Sequence, residues 1–132
     1  MASILICEDD DLYRQIAEAA FAGSSHTLVF AQNGDEALRL LKAQSVDLVI
    51  TDLVMPGKDG LEVIRAIRST LSGIPILAMT AGLASLKEPL LVAATALGAD
   101  DVIEKPFRPT VLRQRADALL NASAAKSGES AA

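Results

Sequence analysis

The chain has 132 residues, enough for one domain with a sizeable core, and 51% of them are hydrophobic although only 3% are aromatic. A formal net charge of -5 argues against nucleic acid as a partner, because binding to phosphates needs a basic face. A single cysteine excludes an internal disulfide, no signal-peptide pattern starts the chain, and no apolar run reaches the roughly 20 residues that span a bilayer. We therefore expect a soluble cytoplasmic protein with no membrane or nucleic-acid partner.

Five short apolar segments typical of strands alternate with five segments of helical periodicity. The strands are predicted at residues 3–7, 27–31, 46–52, 75–80 and 102–104. The helices are predicted at residues 12–21, 35–42, 61–71, 87–97 and 109–120. Asp10 or Asp11 can cap the first helix and Asn33 the second, since short polar side chains accept hydrogen bonds from the first amides of a helix.

This alternation predicts an α/β fold with a five-stranded parallel sheet. Right-handed crossovers allow a doubly wound sheet with helices on both faces. We choose the flavodoxin-like strand order 2-1-3-4-5, because it places strands 1 and 3 side by side at the switch point where such folds bind ligands. Residues 1–122 are assigned to this domain, and residues 123–132 to a flexible C-terminal tail, because they are small and polar.

Asp52 ends the third predicted strand, which begins with the nearly continuous apolar run of residues 46–50. Such a run is typical of a strand that is buried on both faces. Pro56 then starts a turn that Asp59 and Gly60 close before the next helix. An ionisable side chain at this point indicates function, because ligands bind at the carboxyl ends of parallel strands.

Polar side chains follow the four predicted strands around this switch point: Glu8 and Asp9 after strand 1, Asp52 after strand 3, Thr80 after strand 4 and Lys105 after strand 5. Three carboxylates at one edge of a sheet would repel one another unless a cation lay among them. Mg²⁺ fits, because it prefers oxygen ligands. A carboxylate such as Asp52 could then act as nucleophile towards a phosphoryl group, with Lys105 and Thr80 as donors to its oxygens.

Four segments, ILICEDD, DLVMPGKDG, PILAMTA and GADDVIEKPF, resemble the receiver domain of bacterial two-component response regulators. The resemblance extends over residues 3–120, and its DxxMPxxDG and KPF patterns are together highly specific. It implies a chemotaxis-regulator-like, stand-alone signalling switch rather than an enzyme. In this family the aspartate that matches Asp52 takes a phosphoryl group from a phosphohistidine on a sensor kinase or phosphotransfer protein.

The same resemblance implies a role for each matching residue. Glu8 and Asp9 would bind Mg²⁺ together with Asp52 and the backbone carbonyl of Val54. Thr80 would be the hydroxyl that moves to the phosphoryl group, and Lys105 would be its cationic partner.

The sequence departs from the family pattern at strand 5, where Val102 replaces a frequent aromatic residue. We expect that no effector domain follows and that output goes through another protein or a self-dimer, by way of the fourth helix, fifth strand and fifth helix. The fourth helix contains LLVAATAL, and an exposed apolar patch usually marks a contact surface. We expect some of these four side chains to face water: Leu90, Leu91, Ala94 and Leu97. Phosphorylation would then shift this helix and the loop before it.

Two other classes of protein remain as alternatives. An aspartyl-phosphate phosphatase or phosphotransferase also uses Asp, Mg²⁺, Thr and Lys, but its nucleophile resembles a DxD motif after strand 1. A nucleotide- or flavin-binding module would need a glycine-rich turn after strand 1, where this chain has Glu8 and three aspartates. Multiple turnover of a small phosphoester would favour the phosphatase.

Overall fold

The computed structural model describes residues 2–55, 59–70, 73–81 and 87–131, without the side chains of residues 87, 88, 90, 91 and 126–131. Its strands are β1 (Ser3–Cys7), β2 (Thr27–Ala31), β3 (Leu48–Asp52), β4 (Ile76–Ala81) and β5 (Asp101–Lys105). Its helices are α1 (Asp11–Phe21), α2 (Gly34–Ala43), α3 (Gly60–Thr70), α4 (Lys87–Leu97) and α5 (Pro109–Ala131).

The strands form one parallel sheet in the order β2-β1-β3-β4-β5, with β1 and β3 side by side. The predicted doubly wound, flavodoxin-like α/β fold is therefore confirmed. β1 and β2 have the predicted bounds, and the other strands begin and end within two residues of them. The predicted turn at Pro56 lies outside the described residues.

Two apolar clusters cover the two faces of the sheet, because alternate side chains of a strand point to opposite faces. α1 and α5 pack on one face, where the cluster includes Ile4, Ile6, Ala17, Phe21, Leu112 and Ala116. α2, α3 and α4 pack on the other, where the cluster includes Leu5, Cys7, Ala37, Val63, Ile67 and Ala94. Burial on both faces explains why β1 and β3 are nearly continuous apolar runs.

Polar side chains cap three helices close to the carboxyl edge of the sheet. Asp10 accepts a hydrogen bond from the amide of Leu12, and Asn33 accepts one from the amide of Glu36, both at 2.9 Å. The side chain of Asp59 does the same at the start of α3. Each cap typically stabilises a helix by about 1 kcal/mol. Asp10, rather than Asp11, is thus the cap of the first helix.

The described side chains of α4 differ widely in burial. Ala94 is completely buried against α3 and the sheet and Leu97 is half-buried, whereas Val92 is 69% exposed. Ala94 is thus not among the side chains of α4 that face water, since a small side chain there lets the helix approach its neighbours closely. The expected exposure of Leu90 and Leu91 concerns side chains outside those described, and residues 82–86 of the preceding loop are outside as well.

α5 is longer than predicted, since it runs to Ala131 instead of ending near residue 120. The segment after Leu120 contains several alanines and no proline, so its composition permits helix continuation although it is small and polar. The assignment of residues 123–132 to a flexible tail stays a prediction. Among the described helices, none combines the length and apolarity that crossing a membrane requires.

Candidate functional site

Charged and polar side chains are buried together at the carboxyl edge of the sheet. Glu8 and Thr80 are completely buried, Asp52 is 6% exposed and Lys105 is 8% exposed. Across the described part of the chain, the only other buried polar residue is Thr51. Buried charges are costly unless they are paired, so the concentration of buried charged side chains at one edge of the sheet indicates a functional site.

The Lys105 ammonium lies between two carboxylates. Its Nζ donates a hydrogen bond to Glu8 Oε1 and another, of 2.9 Å, to Asp52 Oδ2. The remaining oxygens accept from the backbone, since the amide of Asp10 donates to Glu8 Oε2 and the amide of Val54 donates to Asp52 Oδ1, both at 3.3 Å. Both carboxylates are thus held in place from two sides.

Burial and neighbouring charges shift the proton affinities of this pair. Burial and, to a smaller extent, the negative charge of Asp52 raise the pKa of Glu8 to about 7, although the hydrogen bond from Lys105 opposes them. Burial alone would lower the pKa of Lys105, but its hydrogen bonds with Glu8 and Asp52 outweigh burial, so the pKa of Lys105 is raised. The Lys105 ammonium therefore stays charged.

Three carboxylates offer oxygen atoms to a cation at this edge. One oxygen each from Glu8, Asp9 and Asp52 lies within 4.8 Å of the other two. An all-oxygen set of this kind suits Mg²⁺, which binds carboxylates and keeps several waters. Glu8 is buried while Asp9 is exposed, so the set faces solvent on one side. The residues present therefore fit Mg²⁺.

A cleft of about 500 Å³ opens over this set. Its described lining consists of Asp9, Asp10, Tyr13, Asp52, Val54, Ala81, Lys105 and Pro106. Glu8 and Thr80 are not among these lining residues, and the Thr80 hydroxyl lies 3.4 Å from the carbonyl oxygen of Ala81, to which it donates. The structure thus brings together Glu8, Asp9, Asp52 and Lys105, and holds Thr80 at the end of β4. The Val54 amide contacts Asp52, whereas the role of its carbonyl stays a prediction.

Tyr13 belongs to the site although the sequence analysis did not include it. Its ring centroid lies 4.1 Å from Lys105 Nζ and 5.5 Å from the ring centroid of Phe107. One signal could have identified it. Tyr13 is the only tyrosine of the chain, and it lies in the first turn of the helix that follows the acidic residues.

Close packing against the backbone explains why position 60, at the start of α3, is a glycine. A Cβ atom at this position would lie 2.0 Å from the backbone oxygen of Asp52 and 2.7 Å from the Cα of Leu53. The Gly60 amide also donates to the carbonyl of Leu53 at 3.2 Å. The start of α3 therefore packs directly on the backbone that carries Asp52, and only glycine fits without a shift.

Curated relatives match nearly the whole chain. The transcriptional regulatory protein AfsQ1 of Streptomyces coelicolor is 37% identical over 131 residues, which cover 99% of this chain and 56% of that protein. The response regulator MprA of Mycolicibacterium vanbaalenii is 40% identical over 131 residues, covering 98% of this chain and 55% of that protein. The chain spans about half the length of the curated relatives it matches.

One of these relatives corrects the expectation that nucleic acid plays no part. AfsQ1 is a transcriptional regulator, so the exclusion of nucleic acid as a partner is contradicted. The physical reason is that an acidic net charge disfavours only direct contact between these residues and the phosphates of nucleic acid. An acidic domain can still control a protein that contacts DNA through a different surface.

The solved structures and the family profile agree with the relatives. A putative response regulator from Chloroflexus aurantiacus superposes with a TM-score of 0.81 and 32% identity, covering 91% of this chain and 98% of that one. The profile of the response regulator receiver domain matches residues 4–117. With Asp52 and Lys105 at the carboxyl edge of the sheet, the chain belongs to the receiver-domain family of response regulators.

Proposed function

We propose that this receiver domain is a phosphorylation switch in which Asp52 accepts a phosphoryl group from a phosphohistidine. The donor would be a sensor histidine kinase or a histidine phosphotransfer protein, as in other receiver domains. One observation carries this proposal. The Asp52 carboxylate is held by Lys105 and the Val54 amide at the floor of an open cleft.

In the proposed transfer, an oxygen of Asp52 attacks phosphorus and forms the new O–P bond. The N–P bond of the phosphohistidine breaks, and its electron pair stays on the imidazole ring. Lys105 keeps its charge, so its ammonium can donate to a phosphoryl oxygen. The Thr80 hydroxyl would leave the Ala81 carbonyl and become a second donor.

Mg²⁺ completes this proposal, and its ligands would be Glu8, Asp9, Asp52 and the backbone carbonyl of Val54. When bound, it would neutralise negative charge on the carboxylates and the phosphoryl group. The proximity of the three carboxylates supports this assignment. Without a cation, a phosphate placed among them would meet surplus negative charge.

A single phosphoryl group per chain distinguishes this switch from a phosphatase. Membership in a signalling family supports a protein that catalyses only its own phosphorylation and dephosphorylation. We propose that it acts in the cytoplasm, where the catalytic domains of sensor kinases would meet it. The name of AfsQ1 supports control of transcription as the output. That output would require contact with DNA by another surface or another protein.

Intact-mass analysis after incubation with a small-molecule phosphodonor and Mg²⁺ tests the assignment of Asp52. The wild-type protein should gain one phosphate, and Asp52→Asn should gain none. Asp59→Asn is the matched control, because Asn can replace Asp as the cap of α3 and Asp59 does not line the described cleft. Full labelling of Asp52→Asn, or repeated turnover of the phosphodonor, would contradict the proposal.

A further inference from the structure

We propose that Tyr13 is a positioning residue that holds the Lys105 ammonium at the cleft through the face of its ring. The consequence for phosphorylation rests on the proposed function of Asp52, but the contact itself does not. Tyr13 lies in the first turn of α1, far in sequence from β5, and the fold brings the two elements together at this one edge.

Lys105 has more donor capacity than its carboxylate partners use. An ammonium carries three N–H groups, and the described hydrogen bonds of Nζ go to Glu8 and Asp52. The ring centroid of Tyr13 at 4.1 Å lies well within the distance at which a cation is attracted to an aromatic face. Because Lys105 is only 8% exposed, water screens this attraction weakly.

The ring of Tyr13 is itself held from two sides. Asp10 caps α1 through the amide of Leu12, which fixes the turn that carries Tyr13. Phe107 contacts the ring of Tyr13, with ring centroids 5.5 Å apart and planes tilted by 54°. The ring is thus attached to α1 and to the segment that follows β5, and it does not depend on Glu8 or Asp52 for its place.

This independence is the reason for the proposed role. A phosphoryl group on Asp52 would change one of the two carboxylates that accept a hydrogen bond from Lys105. The contact with Tyr13 involves no carboxylate, so it can keep the ammonium at the cleft throughout the transfer. Without the ring, the four-carbon chain of Lys105 could place its charge in several positions, and the phosphoryl oxygens would lose a preorganised donor.

Three variants separate positioning from simple packing. We expect Tyr13→Phe to be phosphorylated within about twofold of the wild-type rate, because the ring remains, and Tyr13→Leu to be about tenfold slower. In a Lys105→Ala background, Tyr13→Leu should have no further effect. Should Leu disturb α1, Tyr13→Met is a second ring-free variant with good helix propensity.

A matched control is available elsewhere in the fold. The guanidinium of Arg14 lies 5.4 Å from the ring centroid of Phe30, away from the described lining of the cleft. Phe30→Leu removes a ring from beneath a cation in the same way as Tyr13→Leu. It should leave the phosphorylation rate unchanged. Equal slowing by both variants would show a general loss of stability and would overturn the proposal.

Nuclear magnetic resonance measures the contact without any phosphate. A ring face shields nearby protons, so the ε-methylene protons of Lys105 should resonate upfield in the wild type and Tyr13→Phe, and return downfield in Tyr13→Leu. Resonances that are unchanged in Tyr13→Leu would overturn the proposal. A shift that follows the ring, in a protein that is not labelled on Asp52, would support the positioning of Lys105 by Tyr13 and contradict the proposed function instead.

Discussion

Two charged clusters at opposite edges of the sheet use similar groups in different ways. At the carboxyl edge, the Lys105 cluster consists of Lys105, Glu8 and Asp52, all at most 8% exposed. At the amino edge, the Arg68 cluster joins Arg68, at the end of α3, to Asp100 at 2.8 Å and to the carbonyl of Gly98 at 2.7 and 3.0 Å. One cluster places a cation between two acids, whereas in the other the described acidic partner of the cation is Asp100.

The Arg68 cluster has the properties of a structural clamp. Arg68 also donates to the carbonyl of Ile74 at 2.6 Å, and the carboxylate of Asp100 accepts from the amide of Ile76 at 2.8 Å. Gly98 has a φ of +117°, and a Cβ atom there would lie 2.8 Å from Arg68. These contacts join the ends of α3 and α4 to the start of β4. The charge of the Arg68 guanidinium is therefore used on backbone carbonyls that are fixed by the fold.

Open space above the charged groups distinguishes the Lys105 cluster from the Arg68 cluster. Both contain a buried or half-buried cation with hydrogen-bonded carboxylates, so pairing alone is not informative. Only the Lys105 cluster combines surplus carboxylates with an open cleft above them. Surplus charge beside open space is what a cation and a phosphoryl group would use.

The comparison is tested most strongly by replacing each cation with methionine. Lys105→Met should slow phosphorylation of Asp52 by about 10- to 100-fold, because a charge-assisted contact of about 1.5–3 kcal/mol is lost. Time courses with a small-molecule phosphodonor and Mg²⁺ measure this rate. A wild-type rate in Lys105→Met would remove Lys105 from the proposed chemistry.

Arg68→Met should have the opposite profile. We expect its free energy of unfolding to fall by about 2 kcal/mol, because Gly98, Ile74 and Asp100 lose charge-assisted partners. Urea denaturation measures this loss, and the phosphorylation rate of the folded protein should remain that of the wild type. Slower phosphorylation at full occupancy of the folded state would show that the two clusters are coupled.

Gly60→Ala links packing to the Lys105 cluster. A Cβ atom at position 60 would lie 2.0 Å from the backbone oxygen of Asp52, so the backbone must shift. We therefore expect the free energy of unfolding to fall by about 1–3 kcal/mol. Gly73→Ala is the control, since a Cβ atom there has nothing within 4 Å. Equal stability of the two variants would contradict the close approach of α3 to Asp52.

The pH dependence that Glu8 confers on the metal-free protein tests the Lys105 cluster in another way. Its pKa is raised from 4.5 to about 7 by burial and by Asp52, so the folded state binds this proton more tightly than the unfolded state. The resulting stability is present below pH 4.5 and is lost as pH rises to about 7. With a chelator present, unfolding free energies should therefore decline over this window. Glu8→Gln should lack this part of the slope, and an unchanged slope would contradict the shift.

The sequence pattern predicted the order of strands and helices along the chain and most residues of the candidate site. Strand ends are visible in a sequence because apolar runs stop where the chain leaves a sheet, and parallel strands bring these ends to one edge. Glu8, Asp9, Asp52 and Lys105 could therefore be placed together from local pattern alone. The same local pattern did not predict where α5 ends, because the alanines of the small, polar segment after Leu120 permit the helix to continue.

The contacts between helices and strands were not visible in the sequence and depend on the tertiary structure. Tyr13 reaches Lys105, and Gly60 touches the backbone of Asp52, through the crossing geometry of helices on the sheet. Periodicity predicts that a helix has an inward face but not which atom it meets there, so the burial of Ala94 and the clamp of Arg68 were not predicted. Such contacts depend on distances between segments that are remote in the chain, and hydrophobic pattern specifies only the segments themselves.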